Sequence, residues 1–333
     1  MKPLDRSKIH KILVISLTNI GDVILTLPVI DILKRDFPSA KLSVVISPKA
    51  RSLFYENPNY EKIYVFDKHQ SPFKTVPWIF HLRRQHFDLV VDLRNTAIPF
   101  MISARYRSSC RVDKTSNRHM REKHLNQLRS VYNFQTEASD PKALFITKKD
   151  KKYVGELMGA AIKAGQKYVV IAPGAADSSK RWNEESFAFV CDRLAKGHNL
   201  KIVFVGDEED RKVAQRIGQL MGTDALDVCG RTSLIQLAEL FKYCFFTIVN
   251  DSAPMHLASY LNVPVLALFG PSDPQKYGPW GSRSHVIKKE FDCPVCRDPK
   301  SPMKHTCINT ISKDTVLEAA EQFIRQKENV PLE

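Results

Sequence analysis

Short, almost uninterrupted apolar runs recur along this chain in two series, each run followed by a polar loop and an amphipathic stretch. Residues 11–16 (KILVIS), 42–46, 63–66 and 89–93 make the first series, with helical patterns at 22–35, 50–56 and 77–86. Residues 168–172, 201–205, 245–249 and 264–269 make the second, with helices at 184–195, 208–221, 233–241 and 253–261. A strand with one wet face alternates polar and apolar residues. These runs barely alternate, so both faces are covered, which is the condition of parallel strands between two helical layers. The pattern therefore predicts an α/β chain of two Rossmann-like, doubly wound parallel-sheet domains facing a central cleft. The texture changes over 105–129, where Arg105, Arg107, Arg111, Lys114, Arg118, Arg121, Lys123 and Arg129 are opposed only by Asp113 and Glu122. The expected division is 1–150, 151–312 and a terminal segment 313–333 carrying one amphipathic helix.

Open α/β sheets bind ligands beyond the carboxyl ends of their strands, so chemistry is sought in the strand-end loops. Asn19-Ile20-Gly21-Asp22 follows the first strand. Gly21 permits close approach of a ligand, and Asp22 near a helix N-terminus stays ionised and could accept a proton from an attacking hydroxyl. From this segment alone, capping of the helix is the favoured reading of Asp22. In the second series, Pro173-Gly174-Ala175 precedes Lys180-Arg181-Trp182, where Lys180 suits a diphosphate as a point charge and Trp182 suits the core. Glu208, in an acidic strand-end turn, fits ribose hydroxyls or a solvated first helical turn. Asp251-Ser252-Ala253-Pro254-Met255-His256 opens a helix whose first-turn N–H groups can receive a phosphate, or are simply capped. His256 is read equally as a ligand contact or a half-buried structural residue. Cys293, Cys296 and Cys307, with His305, have some look of a zinc site but lack four clear ligands, so no metal is assigned.

A chain of 333 residues suffices for two cores. The formal charge of +14 points to an anionic partner, such as a phosphorylated substrate, an acidic membrane surface or nucleic acid. Seven cysteines without scaffold spacing fit a reducing cytoplasm. No run approaches the length of a membrane span.

In their order along the chain, KILVISLTNIGDVILTLPVI, APGAADSSKRWNEESFAFV, IVFVGDEEDRKVA, CGRTSLIQLAELF and NDSAPMHLASYLNVPVLALFGPSDP, then GPWG, resemble glycosyltransferase family 9, the lipopolysaccharide heptosyltransferases. The resemblance implies a GT-B fold with an N-terminal acceptor domain, a C-terminal nucleotide-sugar domain and a last helix crossing back toward the first. It implies an inverting transfer of heptose from ADP-heptose to the inner core of lipopolysaccharide, on Kdo or heptose residues. No cofactor beyond the donor is required. Asp22 matches the family's proposed general base, Lys180 the lysine on the donor phosphate, Glu208 (or Asp207, one register away) the acid near the ribose, and Asp251 the aspartate on the donor sugar. Gly174, Ala175, Ser252, Ala253, Met255 and His256 complete the donor side. Asn19, Gly21, Arg105, Arg118 and Arg121 are the acceptor-side candidates. Many members carry Gly at the position of Ala253, and some a Lys within the stretch Ser16-Leu17-Thr18-Asn19. The enzyme is expected in the cytoplasm, peripheral on the inner membrane, with no nucleic-acid partner. The rival readings are a GT-B-type sugar-nucleotide epimerase or hydrolase, and a basic nucleic-acid-binding protein.

Overall fold

The computed structural model describes residues 4–67, 71–109, 118–135, 142–159, 166–289 and 307–328. They belong to two compact units, Met1–Phe145 and Ile146–Glu333, so the division falls five residues before the expected one.

In the first unit the chain runs β1 (Lys11–Ile15), α1 (Ile20–Asp36), β2 (Lys41–Ile46), α2 (Arg51–Phe54), β3 (Lys62–Val65), α3 (Pro72–Arg83), β4 (Leu89–Asp92), α4 (Ile98–Met101), β5 (Tyr106–Arg107) and α5 (Met120–Arg129). The strands form one parallel sheet in the order β3-β2-β1-β4-β5. Winding proceeds outward from β1 to β3 and then restarts on the other side of β1 with β4. Beyond the carboxyl ends of β1 and β4 such a reversal leaves a crevice. One face of the sheet is covered by α3 and α4, whose Ile79, Leu82, Ile98 and Ile102 cluster with Leu13, Ile15, Val45 and Val90. α1 packs against α5. Asp22 in the first turn of α1 and Lys34 and Arg35 in its last complement the helix dipole.

The second unit runs α6 (Lys148–Gly159), β6 (Tyr168–Ala172), α7 (Glu184–His198), β7 (Lys201–Phe204), α8 (Arg211–Leu220), β8 (Ala225–Asp227), α9 (Leu234–Phe241), β9 (Thr247–Asn250), α10 (Ala253–Tyr260), β10 (Val265–Phe269), α11 (Pro274–Tyr277), β11 (Ser284–Lys288) and α12 (Lys313–Glu328). Its six strands are parallel in the order β11-β10-β9-β6-β7-β8, so the winding reverses between β6 and β9. Helix ends follow local chemistry. Asn183 caps α7 by accepting from Ser186 N–H at 2.8 Å, and Asn199 closes it in the left-handed region. Ser233 and Gln236 form a reciprocal capping box on α9. The final helix, expected as a separate segment reaching toward the first domain, buries Val316, Ala320 and Ile324 in the core of the second unit and packs on α7.

Candidate active site

The winding reversal of the second sheet assembles a polar cluster. β6 ends at Ala172 and β9 at Asn250, side by side. Buried Asn250 ties the two exits together: its Nδ2 donates to the Pro173 carbonyl at 2.7 Å. The loop after β6 then makes a single 3-10 turn, Ser178–Lys180, capped by Asp177, which delivers Lys180 to the next residue of the β9 exit. Lys180 Nζ donates to Asp251 Oδ2 at 2.7 Å, and Ser272 Oγ donates to the same oxygen at 2.5 Å. The lysine side chain is 31% exposed and the aspartate 5%. A nearly buried carboxylate thus holds a half-exposed cation in place at the mouth of the crevice. Asp251 Oδ1 accepts no hydrogen bond among the described residues.

α10 begins beside this pair. Ser252 is its N-cap but makes no side-chain cap, its hydroxyl donating to the Asn250 carbonyl at 3.2 Å. Pro254 has no N–H, and that of Met255 donates to the Ser252 carbonyl at 3.1 Å. Ala253 is therefore the first-turn donor placed at the open end of the helix. The Met255 side chain is fully buried, and so contributes packing. His256 is buried and stacks on Trp280, which exchanges hydrogen bonds with Ser259; this fastens the Gly278–Gly281 loop to α10. Arg181 turns back to the Ala175 carbonyl at 2.7 Å, and Trp182 is buried with its Nε1 on the Ile311 carbonyl.

Gly174 has a steric reason that its sequence neighbours do not disclose. A Cβ there would lie 1.9 Å from Asp210 Oδ1, and one at Gly206 would lie 2.6 Å from Asp210 Cβ. Asp210 thus fills the gap between the β6 and β7 exits, accepting from Asp207 N–H at 3.1 Å, and burial raises its pKa. Glu208 lies further out. Its Oε1 is 2.7 Å from Arg211 Nη1, and its Oε2 crosses Gly230, which sits at φ +69°.

In the first unit, Asp22 occupies the third position of α1, and the N-cap is Asn19. The Asp22 carboxylate accepts from Asn19 Nδ2 at 3.0 Å and, among the described residues, from no backbone N–H, so Asp22 does not cap the helix. Gly21 lies within the helix with no positive φ, so its contribution is the missing side chain. The neighbouring exit of β4 contains a residue that sequence reasoning passed over. Buried Asp92 accepts from Arg94 N–H at 2.9 Å and from the N–H and hydroxyl of Thr96 at 2.6 Å, which shapes the loop beside Asp22. Desolvation raises its pKa. Its sequence signal is an Asp within the apolar run 89–93.

The basic stretch is divided. α5 is joined to the carboxyl edge by Gln127, whose amide donates to Asn95 Oδ1 at 2.9 Å and also reaches the Ser109 carbonyl. On this helix Arg121 pairs with Glu122 at 2.7 Å. Arg118 is exposed just before it. Arg105 instead enters β5 from the amino edge, away from Asn19–Asp22, its guanidinium over the Tyr106 ring. Cys293, Cys296 and His305 lie outside the described residues, and Cys307 begins a 3-10 turn. Among the described residues no group of three or more His, Cys, Asp or Glu is placed to hold a metal, and no helix is long and apolar enough to cross a membrane.

Known proteins share the sequence pattern and the fold. The family model of glycosyltransferase family 9 (heptosyltransferase) matches residues 80–307. Lipooligosaccharide heptosyltransferase 2 of Campylobacter jejuni is 24% identical over 320 residues, covering 92% of this chain and 96% of that protein. The glycosyltransferase family 9 structure from Veillonella parvula has a TM-score of 0.83 at 25% identity, covering 97% of this chain and 98% of that one. Escherichia coli heptosyltransferase WaaC with ADP-2-deoxy-2-fluoro heptose has a TM-score of 0.67 at 15% identity, covering 96% and 100%. Two parallel-sheet units of Rossmann order, each with polar groups at its winding reversal, make this a glycosyltransferase of the GT-B class. The chain belongs to glycosyltransferase family 9, the heptosyltransferase family.

Proposed function

We propose that this enzyme transfers a heptose from ADP-heptose to the inner core of lipopolysaccharide, on Kdo or heptose residues of a lipid A-linked acceptor, with inversion at the anomeric carbon. The names of the curated relatives and the ADP-sugar held by a family structure support the substrate classes. The observation that carries the reading is the Lys180–Asp251–Ser272 cluster at the winding reversal of the second sheet.

The proposed reaction is a single displacement. Asp22 removes the proton of the acceptor hydroxyl as its oxygen bonds to the anomeric carbon. The bond from that carbon to the diphosphate oxygen breaks, and ADP leaves with the electron pair. Lys180 and the Ala253 N–H at the start of α10 stabilise the charge growing on the leaving group. Asp251 Oδ1 takes a hydroxyl of the donor sugar, Gly174 and Ala175 admit the donor at the β6 exit, and Glu208 serves the ribose. Asn19 and Gly21 shape the acceptor side, with Arg118 and Arg121 toward its anionic groups; the amino-edge position of Arg105 favours these two over it. The enzyme works at the cytoplasmic face of the inner membrane.

Asp22→Asn tests the assignment. It should lower kcat by ~10²–10⁴ while ADP still raises the melting temperature as in the wild type. Wild-type turnover in this variant would end the role of Asp22. ADP released from donor alone as fast as with acceptor would instead establish a hydrolase, and donor converted without acceptor or net ADP release an epimerase.

A further inference from the structure

We propose that the outer face of α3, together with α4, is a docking surface for an anionic lipid bilayer. α3 is apolar on two sides. Ile79 and Leu82 enter the core of the first unit, and Trp78 packs against it. Yet Phe73, Val76 and Phe80, at helical spacing on the opposite side, are 90%, 51% and 57% exposed. Core packing explains the first set and leaves the second without a structural task. α4 lies against α3 and adds exposed Phe100 and Met101. Scattered apolar residues on a surface are ordinary; five on two adjacent helices form a patch of the kind that marks an interaction site.

Charge identifies the occupant. Residues 71–109, which carry this patch, contain Lys74, Arg83, Arg84, Arg94, Arg105 and Arg107, and their two acids, Asp88 and Asp92, are each taken up by backbone N–H groups. Arg83, Arg84, Arg105 and Arg107 are exposed, and the Arg107 guanidinium lies 4.2 Å from the centre of the Phe100 ring. Aromatic residues beside an excess of arginines are the chemistry of helices that lie in the headgroup layer of acidic membranes. A protein partner buried on the same patch would have to neutralise every one of these cations. The placement is also functional. α3 starts from the carboxyl end of β3, so Phe73 in its first turn lies toward the sheet edge that bears Asp22, while Arg83 and Arg84 at its end and Arg105 before β5 lie toward the amino edge. A lipid-linked sugar presented by that bilayer would meet the acceptor loop directly, a consequence that rests on the proposed function.

Co-sedimentation of the full chain with vesicles tests the surface without turnover. Wild-type protein should pellet with phosphatidylethanolamine–phosphatidylglycerol vesicles and stay in solution with phosphatidylcholine. Phe73→Ser with Phe80→Ser should weaken binding roughly 100-fold, about tenfold for each ring withdrawn from the interface. Arg83→Gln with Arg84→Gln should weaken it about 25-fold, near fivefold per charge. Both variants should keep wild-type melting temperatures, because the replaced side chains are exposed. Wild-type protein that ignores anionic vesicles, or variants that bind as the parent does, would overturn the proposal. So would a dimer in sedimentation velocity that the double Phe variant abolishes with vesicle binding unchanged. Lipid binding lost in the variants, from a protein that transfers no heptose, would uphold the surface and remove the proposed reaction.

Discussion

Replacing Lys180 by Met separates the structural from the chemical work of the Lys180–Asp251 pair. The substitution keeps the unbranched side chain as far as its ε carbon and removes the cation 2.7 Å from Asp251 Oδ2, leaving a carboxylate only 5% exposed with Ser272 as its remaining donor. Removing one partner from a fully buried ion pair costs ~3–5 kcal/mol. Lys180 is 31% exposed, so water reaches the vacated side and about 1–2 kcal/mol is expected. For a unit of this size that lowers the melting temperature by about 5 °C. The catalytic loss is larger, because a fixed charge on a departing diphosphate is worth ~10²–10³ in kcat. Adding Asp251→Asn removes the stranded charge, so the double variant should regain the lost melting temperature and stay inactive. Calorimetry and single-turnover release of ADP read the two effects. Lys180→Met turning over within about threefold of wild type would refute the leaving-group role, and a stability loss that Asp251→Asn fails to relieve would refute the stranded-charge argument.

Buried His124 gives the first unit an acid sensitivity: burial lowers its pKa from 6.5 to about 4, so below pH 6.5 the unfolded chain takes up a proton that the folded one refuses. Stability from neutral His124 is complete above pH 6.5 and declines toward pH 4, by ~1.4 kcal/mol per pH unit within that window; His124→Leu should flatten the melting-temperature profile there, and an unchanged slope would assign the sensitivity elsewhere. Gly174→Ala should cost ~1–3 kcal/mol because the new methyl displaces the Asp210 carboxylate. Adding Asp210→Ser should restore most of the melting temperature, and failure to do so would mean that the glycine answers to something other than Asp210.

The central strands were legible in the chain because each is buried on both faces, which only an apolar run survives. Of the four edge strands only β3 was, in the run 63–66. All three residues of β8 are half-buried, β5 has two residues, and β11 buries one side chain, so no periodicity announces them. α5 read as part of a basic loop because only His124, Leu125 and Leu128 mark its inner side among arginines and lysines. α3 begins at Pro72 behind the Ser71 cap, five residues before the start suggested by Pro77, because proline suits a first turn and two prolines compete for that position. At the site, Asp22 was singled out but left between cap and base. The N-cap position of Asn19, a matter of backbone path, removes the first.

What the amino-acid order determined alone is everything decided within a few residues. It set the alternation of strand and helix, the caps at Asn183 and Ser233, and the loops in which polar groups had to lie. Tertiary structure decided which of those loops meet. Lys180 and Asp251 are 71 positions apart, and no local preference links them. They touch because β6 and β9 are neighbours where the winding of the second sheet reverses. That neighbourhood follows from burying both faces of the central strands at once, a condition on the whole unit that no single segment carries.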